Sequence, residues 1–136
     1  MTRRRLSLAL GCLPLLLLPF ICCAPKADLV PKPTVARQAV ETALSTWKSG
    51  AKHGTITSSK VKIDVYDARW RDGKKLESYA ITEEIKGQPL PQFKVRLKLV
   101  GKPEETTTYR VVGFDPLQVW SDDDYEKAFG AKGTGM

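Results

Sequence analysis

Apolar residues recur at steps of three and four positions between residues 35 and 51, the spacing that places them on one face of a helix. They are Val35, Ala36, Ala39, Val40, Ala43, Leu44, Trp47 and Ala51. Thr34, which follows a proline, is a suitable N-cap, and Gly50 and Gly54 provide stop signals. The pattern predicts one amphipathic helix that begins near residue 34 and buries Trp47 in the core.

Alternation of apolar and polar residues predicts strands in the rest of the chain. The clearest alternation runs from Phe93 to Leu99, with Lys94, Arg96 and Lys98 on the polar face. Weaker patterns predict four further strands, at residues 61–66, 76–85, 106–114 and 117–120. The apolar faces of the helix and of the clearest strand should cover each other and form one core.

The alternation also predicts a shared face in one of these strands and a bulge in another. In the strand at residues 76–85, Tyr79, Ile81 and Ile85 should lie on one face. In the strand at residues 106–114, the alternation is lost just before Gly113. This loss predicts a bulge near that glycine.

Capping residues predict two short helical turns. Asp67 is a good N-cap, with Trp70 turned inward and Gly73 ending the turn. Ser121 and Asp124 have the spacing of a capping box, which predicts a terminal helical turn through residue 129.

The elements together predict an α+β fold, in which one N-terminal amphipathic helix packs on a curved antiparallel sheet of four to five strands. We expect a single domain over residues 34–129. Residues 24–33 are rich in proline and are expected to be a linker that does not pack. Residues 130–136 contain too few apolar groups to become ordered.

The first 23 residues have the composition of an export signal. Three arginines at positions 3–5 precede an apolar run from Leu6 to Cys23, and polar residues follow. A basic start, an apolar middle and a small-residue exit are typical of a secretory signal peptide. We therefore expect the domain to be exported to the periplasm or cell envelope.

Three fates of this segment stay open. A lipoprotein signal would be cut before a cysteine that then carries lipid, with Cys22 and Cys23 as the candidates. A simple cut after Ala24 or Ala27 is the second. An uncleaved anchor is the third, because the apolar run of 18 residues is at the lower limit for spanning a bilayer. The first and third fates would tether the domain to the membrane through its N-terminus.

Charge and cysteine content limit the partners and the chemistry. The chain has 22 Lys and Arg against 15 Asp and Glu, and loss of the N-terminal arginines leaves 19 against 15, a net charge of +4. This mild excess does not require a nucleic-acid partner, and none is expected. All three cysteines lie in the first 23 residues, so the exported domain has no thiol and no internal disulfide.

Lys94, Arg96 and Lys98 are the candidate site residues of the domain. They form a cationic row on one strand face, and such a row attracts an anionic polymer or an anionic membrane surface. The competing interpretation is a solvated sheet face whose charges prevent edge aggregation.

The other titratable residues have structural explanations. We interpret His53, the single histidine, as a cation at the helix C-terminus. We interpret the acidic run at residues 122–124 as negative charge that favours a helix N-terminus. Glu83 and Glu84 are adjacent on a strand, so only one of them would enter a cleft. No metal-ligand set or phosphate-binding loop is apparent, so no cofactor, no metal site and no catalytic residue are predicted.

Asp64 and Tyr66 alternate along one strand. They are therefore expected to share a strand face, where they would line a cavity if one were present.

Residues 43–120 resemble small exported proteins of planctomycete-type bacteria that carry no assigned activity. The likeness rests on Ala43-Leu44 with Trp47-Lys48, on Asp67-x-x-Trp70-x-x-Gly73-x-x-Leu76-x-x-Tyr79, on Phe93-x-Val95-x-Leu97-x-Leu99 and on Val111-Val112-Gly113-x-Asp115-Pro116. The layout also resembles the cystatin/NTF2-like group, in which a helix packs into a curved sheet. That resemblance implies an architecture and lends no site residues.

Three functional hypotheses follow. The first is an exported, non-catalytic module that binds a protein or another envelope component. The second is a small NTF2-like enzyme or ligand-binder with a pocket between helix and sheet. The third is a protein that binds anions or a membrane surface through the cationic row.

Overall fold

The computed structural model of the protein describes residues 30–130. The elements are α1 (Pro33–Lys48), β1 (Thr55–Ile56), β2 (Ile63–Tyr66), α2 (Ala68–Arg71), β3 (Leu76–Ile85), β4 (Gln92–Leu99), β5 (Glu105–Val112), β6 (Leu117–Ser121), α3 (Asp122–Tyr125) and a π-helical turn (Glu126–Gly130). The predicted signal segment, the first residues of the linker and the tail beyond residue 130 lie outside the described residues. Within residues 30–130, no helix has the length and apolarity needed to cross a membrane.

The predicted α+β class is confirmed, but the sheet differs from the expectation. It has six strands in the order β1-β2-β6-β5-β4-β3. The additional strand is β1, whose two residues pair with β2. The sheet is mixed, since β2 and β6 pair in parallel while all other neighbours are antiparallel. The predicted number of four to five strands and the predicted purely antiparallel pairing are therefore both wrong.

The long helix begins one residue before the predicted cap. Its N-cap is Lys32, which makes no side-chain cap bond, and proline occupies the first helical position, where its missing N–H costs nothing. Pro31 is fully buried, so the last part of the predicted linker packs against the domain. At the other end, Gly50 has a φ of 91° and donates its N–H to the Trp47 carbonyl at 2.9 Å, a glycine stop of the Schellman kind.

The core lies between α1 and the inner face of the sheet. Trp47 is 3% exposed and belongs to the same buried cluster as the four apolar residues of β4, as predicted. The fully buried side chains of β4, β5 and β6 include Phe93, Val95, Leu97, Val111 and Val119. Side chains therefore fill the space between the middle of the helix and the sheet.

The prediction that Tyr79, Ile81 and Ile85 share one face of β3 is wrong for Ile85. Ile81 lies opposite Val95, which faces the core, whereas Ile85 lies opposite Gln92. The register with β4 shifts between these two isoleucines. Because an extra residue reverses the alternation beyond a bulge, Ile85 points to the outer face instead of the face that carries Ile81.

The predicted bulge near Gly113 is also wrong. The pairing of β5 with β6 is continuous to Val112, and the strand ends there. Gly113 follows with a φ of 85°, a left-handed conformation that favours glycine. The glycine therefore begins the turn into β6.

Both short helical turns occur where the capping residues predict them. Asp67 caps α2 by accepting a hydrogen bond from the Arg69 N–H, and Trp70 is 4% exposed. Ser121 caps α3 by accepting from the Asp124 N–H, and helical turns continue through residue 130.

Candidate functional site

A groove of about 420 Å³ lies where the end of α1 meets the end of α2. It is bordered by two chain segments, residues 47–53 and residues 70–75. We call it the basic groove and define it by Trp47, Lys52, His53, Trp70, Lys74 and Lys75. Its volume is within the range of small-ligand sites.

Buried aromatic rings lie beneath the basic groove, since Trp47 is 3% and Trp70 is 4% exposed. The rings of Trp47 and Trp70 stack with centroids 5.8 Å apart, and His53 lies edge-on to Trp70 at 5.4 Å. The Trp47 indole donates to the Lys74 carbonyl at 2.7 Å, and the Trp70 indole donates to the Ala51 carbonyl at 2.8 Å. These two bonds tie the segments on both sides of the groove to the tryptophan pair.

Cations form its rim. Lys52, Lys74 and Lys75 are exposed, and within residues 30–130 none of them has an ion-pair partner. Arg71 also lines the groove, but it pairs with Asp124 at 3.2 Å. No carboxylate is among the lining residues, so the field in the groove is positive.

His53 does not occupy the helix end that the sequence predicts for it. The helix ends at Lys48, which is the basic residue of the last turn, and His53 lies in the loop that follows. Its Nε2 atom is buried and has no hydrogen-bond partner among the described residues.

The predicted cationic row has a different environment. Its three members point outward from β4, and each one pairs with a glutamate. The pairs are Lys94 with Glu83 at 3.3 Å, Arg96 with Glu104 at 2.8 Å and Lys98 with Glu77 at 3.5 Å. An anion that bound this row would have to compete with three carboxylates already in place.

Arg110, which lies on the same outer face, is also engaged. Its Nη2 atom is 2.6 Å from Asp122 and 3.1 Å from Glu126, and the guanidinium lies 4.4 Å from the centre of the Tyr125 ring. These contacts attach the C-terminal helical turns to β5.

A buried polar network joins α2 to β5. Asp67 is 1% exposed and accepts hydrogen bonds from the Tyr109 hydroxyl at 2.5 Å and from the Arg69 N–H at 2.9 Å. The Arg69 Nε atom is 2.7 Å from Glu105. Burial raises the pKa of Tyr109 well above its ordinary value, as do the charge and hydrogen bond of Asp67. The hydroxyl therefore stays protonated and holds the Asp67 carboxylate.

Asp124 links the same turn to the C-terminal helix. It accepts hydrogen bonds from the Ala68 N–H at 2.7 Å and from the Ser121 hydroxyl at 2.8 Å, and it pairs with Arg71. Burial alone would raise the pKa of Asp124, but the hydrogen bonds from Ser121, Ala68 and Arg71 outweigh it and lower the pKa below its ordinary value. Because its pKa is lower in the folded chain, the ionised carboxylate stabilises the fold at neutral pH.

We expect Asp124→Asn to lower the free energy of unfolding at about pH 7 by about 1–3 kcal/mol, and by less at about pH 2.5. The contribution of the ionised carboxylate is present above its unfolded pKa and is lost as the pH falls through its folded pKa. Urea unfolding at both pH values measures the two differences. Asp123→Asn, on the exposed neighbour, is the control and should change little at either pH. An equal loss for Asp124→Asn at both pH values would contradict the assigned role of the charge.

The two adjacent glutamates of β3 do not converge on one cleft. Glu83 points outward to Lys94, while Glu84 lies opposite buried Phe93, so the two face opposite sides as expected. On the outer face, Asp64 accepts a hydrogen bond from the Thr55 hydroxyl at 2.5 Å. Within the described residues, no group of three or more His, Cys, Asp and Glu side chains is placed to hold a metal ion.

Asp64 and Tyr66 do share the outer face of β2. The Tyr66 ring stacks on Trp120 at 3.8 Å, in a cluster of aromatic rings that includes Tyr125 and Phe129. The two residues therefore lie on the side of the sheet away from α1, and neither lines the basic groove.

Cys22 and Cys23, the candidates for lipidation, lie outside the described residues. The lipid anchor stays a prediction from the sequence.

No family model, no curated protein and no solved structure matches this chain. The resemblances to small exported proteins and to the cystatin/NTF2-like layout therefore stay predictions.

Proposed function

We propose that this chain is an exported, non-catalytic binding module of the bacterial cell envelope, and that it binds an anionic ligand in the basic groove. The observation that carries the proposal is the contrast between two sets of cations. The lysines of the groove have no ion-pair partner among the described residues, whereas each cation of the row on β4 is matched by a glutamate.

The composition of the groove favours binding over catalysis. His53 is the single histidine of the chain, and the lining residues include no carboxylate, hydroxyl or thiol to act with it. General acid–base and nucleophilic mechanisms that use a histidine commonly pair it with such a group within hydrogen-bond reach. The unpaired positive charge of the groove supports recognition of an anionic ligand instead.

Replacing the three groove lysines should weaken anion binding strongly. For Lys52→Gln/Lys74→Gln/Lys75→Gln, we expect the affinity for inorganic tripolyphosphate to fall by about tenfold or more at low salt, since three unpaired charges are lost. The difference should shrink as salt rises. Isothermal titration calorimetry at two salt concentrations measures both effects.

The matched control neutralises the predicted row. Lys94→Gln/Arg96→Gln/Lys98→Gln removes the same number of charges, but each of them is already balanced by a glutamate. We expect its affinity to stay within about twofold of the parent. If the row variant loses binding while the groove variant keeps it, the anion site is on the outer sheet face and the proposal is wrong.

Export is supported by the N-terminal sequence and has a separate test. Residues 1–33, fused to a reporter enzyme that is active only after disulfide formation outside the cytoplasm, should give activity in a bacterial host. A fusion that begins at residue 30 should give none. Equal activity of the two fusions would contradict an export role for the N-terminal segment.

A second candidate is the small ligand-binder with a pocket between helix and sheet. A groove of about 530 Å³ between the first half of α1 and residues 58–61 favours it, with apolar surface from Val35 and Val61. Binding of a neutral apolar dye that is lost in Val61→Trp, and kept in the groove-lysine variant, would support this function. Equal dye binding by the parent and Val61→Trp would count against it.

A further inference from the structure

Val30, the first residue that the structure describes, lies at one end of the sheet beside three connections between strands. The strand register places the ends of β1, β3 and β5 and the starts of β2, β4 and β6 at this end. Val30 borders a groove with residues 84–91, and Val35 borders another with residues 58–61. We call this end the entry face and define it by residues 30–35, 58–62, 86–91 and 113–116.

Three exposed apolar side chains lie on the entry face. Val30 is 39%, Val35 is 40% and Phe114 is 48% exposed. Val30 precedes α1 and Val35 lies in its first turn, whereas Phe114 lies in the turn from β5 to β6. Exposed apolar residues are ordinary when they are scattered singly, but several at one end of a domain indicate an interaction surface.

The same face is cationic. Its four segments contain four lysines and a single carboxylate. Lys32, Lys60 and Lys62 are exposed, and no carboxylate of residues 30–130 forms an ion pair with them. Lys86 pairs with Glu84 at 3.8 Å, but its side chain is 85% exposed. Lysines beside apolar groups suit an anionic bilayer, because the ammonium groups meet lipid phosphates while the apolar groups enter the headgroup region.

The sequence before the entry face favours the same partner. Six residues, 24–29, lie between the apolar run that ends at Cys23 and Val30. An extended chain spans at most about 3.6 Å per residue, so this connection reaches about 25 Å or less. Both fates that attach the N-terminal segment to the membrane therefore hold the entry face close to the bilayer.

We infer that the entry face docks on an anionic lipid bilayer, with Val30, Val35 and Phe114 among the headgroups and the four lysines at the lipid phosphates. This inference rests on the envelope location in the proposed function, but not on anion binding by the basic groove. The helix α1 has 16 residues and is about 24 Å long, and the groove lies at its far end. Docking therefore holds the groove away from the bilayer, where it meets ligands from solution.

Quenching of tryptophan fluorescence by brominated lipids identifies the docked end. Val100 is the matched control for Phe114, since it is 60% exposed and its N–H donates to the carbonyl of Lys75, on the rim of the groove, at 3.0 Å. Full-length Phe114→Trp, Val100→Trp and the parent are reconstituted into vesicles of phosphatidylglycerol and phosphatidylethanolamine with brominated acyl chains. After subtraction of the parent, which has three tryptophans, Phe114→Trp should be quenched at least about twofold more than Val100→Trp.

The role of charge has its own pair of variants, both made in the Phe114→Trp protein. Lys32→Gln/Lys60→Gln/Lys62→Gln should reduce the quenching by about twofold or more at low salt, whereas the groove-lysine variant should leave it unchanged. Brominated phosphatidylcholine in place of the anionic lipid should also reduce it. Circular dichroism validates the fold of each variant, and Val35→Trp replaces Phe114→Trp if the latter does not fold.

The outcomes separate this inference from the proposed function. Equal quenching of the two added tryptophans, or stronger quenching of Val100→Trp, overturns docking by the entry face. Quenching that is unchanged on phosphatidylcholine and in the entry-lysine variant overturns the choice of an anionic bilayer. The expected quenching without tripolyphosphate binding overturns the function of the groove and leaves the docking standing. A chain that is exported, as the reporter fusion measures, but shows no selective quenching loses the docking inference alone.

Discussion

Asp67→Ala should lower the free energy of unfolding by about 3–5 kcal/mol, the loss expected when one member of a buried charged network is removed. The carboxylate is 1% exposed and accepts from the Tyr109 hydroxyl and from the Arg69 backbone N–H. Alanine leaves both donors without a partner, and Tyr109 is itself buried. Chemical unfolding followed by circular dichroism measures the change.

Two variants control this prediction. Tyr109→Phe removes a single donor and should cost less, about 1–3 kcal/mol. Asp72→Ala changes an exposed carboxylate at the end of the same turn and should stay within about 0.5 kcal/mol of the parent. If Asp67→Ala is no more destabilising than Asp72→Ala, the network does not stabilise the fold.

Leu97→Ala should cost about 2–5 kcal/mol, because the side chain is fully buried and its removal leaves a cavity. Leu97 lies in the middle of β4, on the face that α1 covers. The strand is paired on both sides, so its backbone has little freedom to close the space. Urea unfolding of the parent and variant measures the loss.

Lys94→Ala is the matched control on the same strand. Its side chain points to the outer face, is 45% exposed and pairs with Glu83, so we expect a loss of about 0–1 kcal/mol. Similar losses for the two variants would show that the inner and outer faces of β4 are assigned incorrectly.

The long helix, the five longer strands and the two capped turns were predictable because their signals are local. The helix repeats its apolar residues over four turns, and β4 alternates without interruption. Asp67 and Ser121 cap their turns through hydrogen bonds to residues two and three positions further along the chain. Interactions between residues only a few positions apart can be predicted from the sequence alone.

The strand β1 was missed because it is too short to show a period. Its two residues are held by pairing with β2, a contact between segments rather than a preference of the residues. The parallel pairing of β2 with β6 was missed for a related reason. Fifty residues lie between the two strands, and alternation within a strand does not reveal its neighbour.

The candidate site was only partly visible in the sequence. Lys94, Arg96 and Lys98 were noticed because they alternate on one strand, yet β3 and the loop after β4 supply glutamates to all three. The groove lysines show no periodic spacing, since they come from two loops. The available signal was two tryptophans that each precede a loop with lysines, a pattern too general to select without the fold.

The sequence by itself determined the helix, the apolar faces, the capped turns and the α+β class, because each depends on residues a few positions apart. The tertiary structure decided the order of the strands, the outward turn of Ile85 and the charge balance of the lysines on β4 and in the basic groove. Charge balance depends on which carboxylates the fold brings within about 4 Å of each ammonium group. That distance is set by packing between distant segments, so the fold neutralises the row on β4 and leaves the lysines of the basic groove available to a ligand.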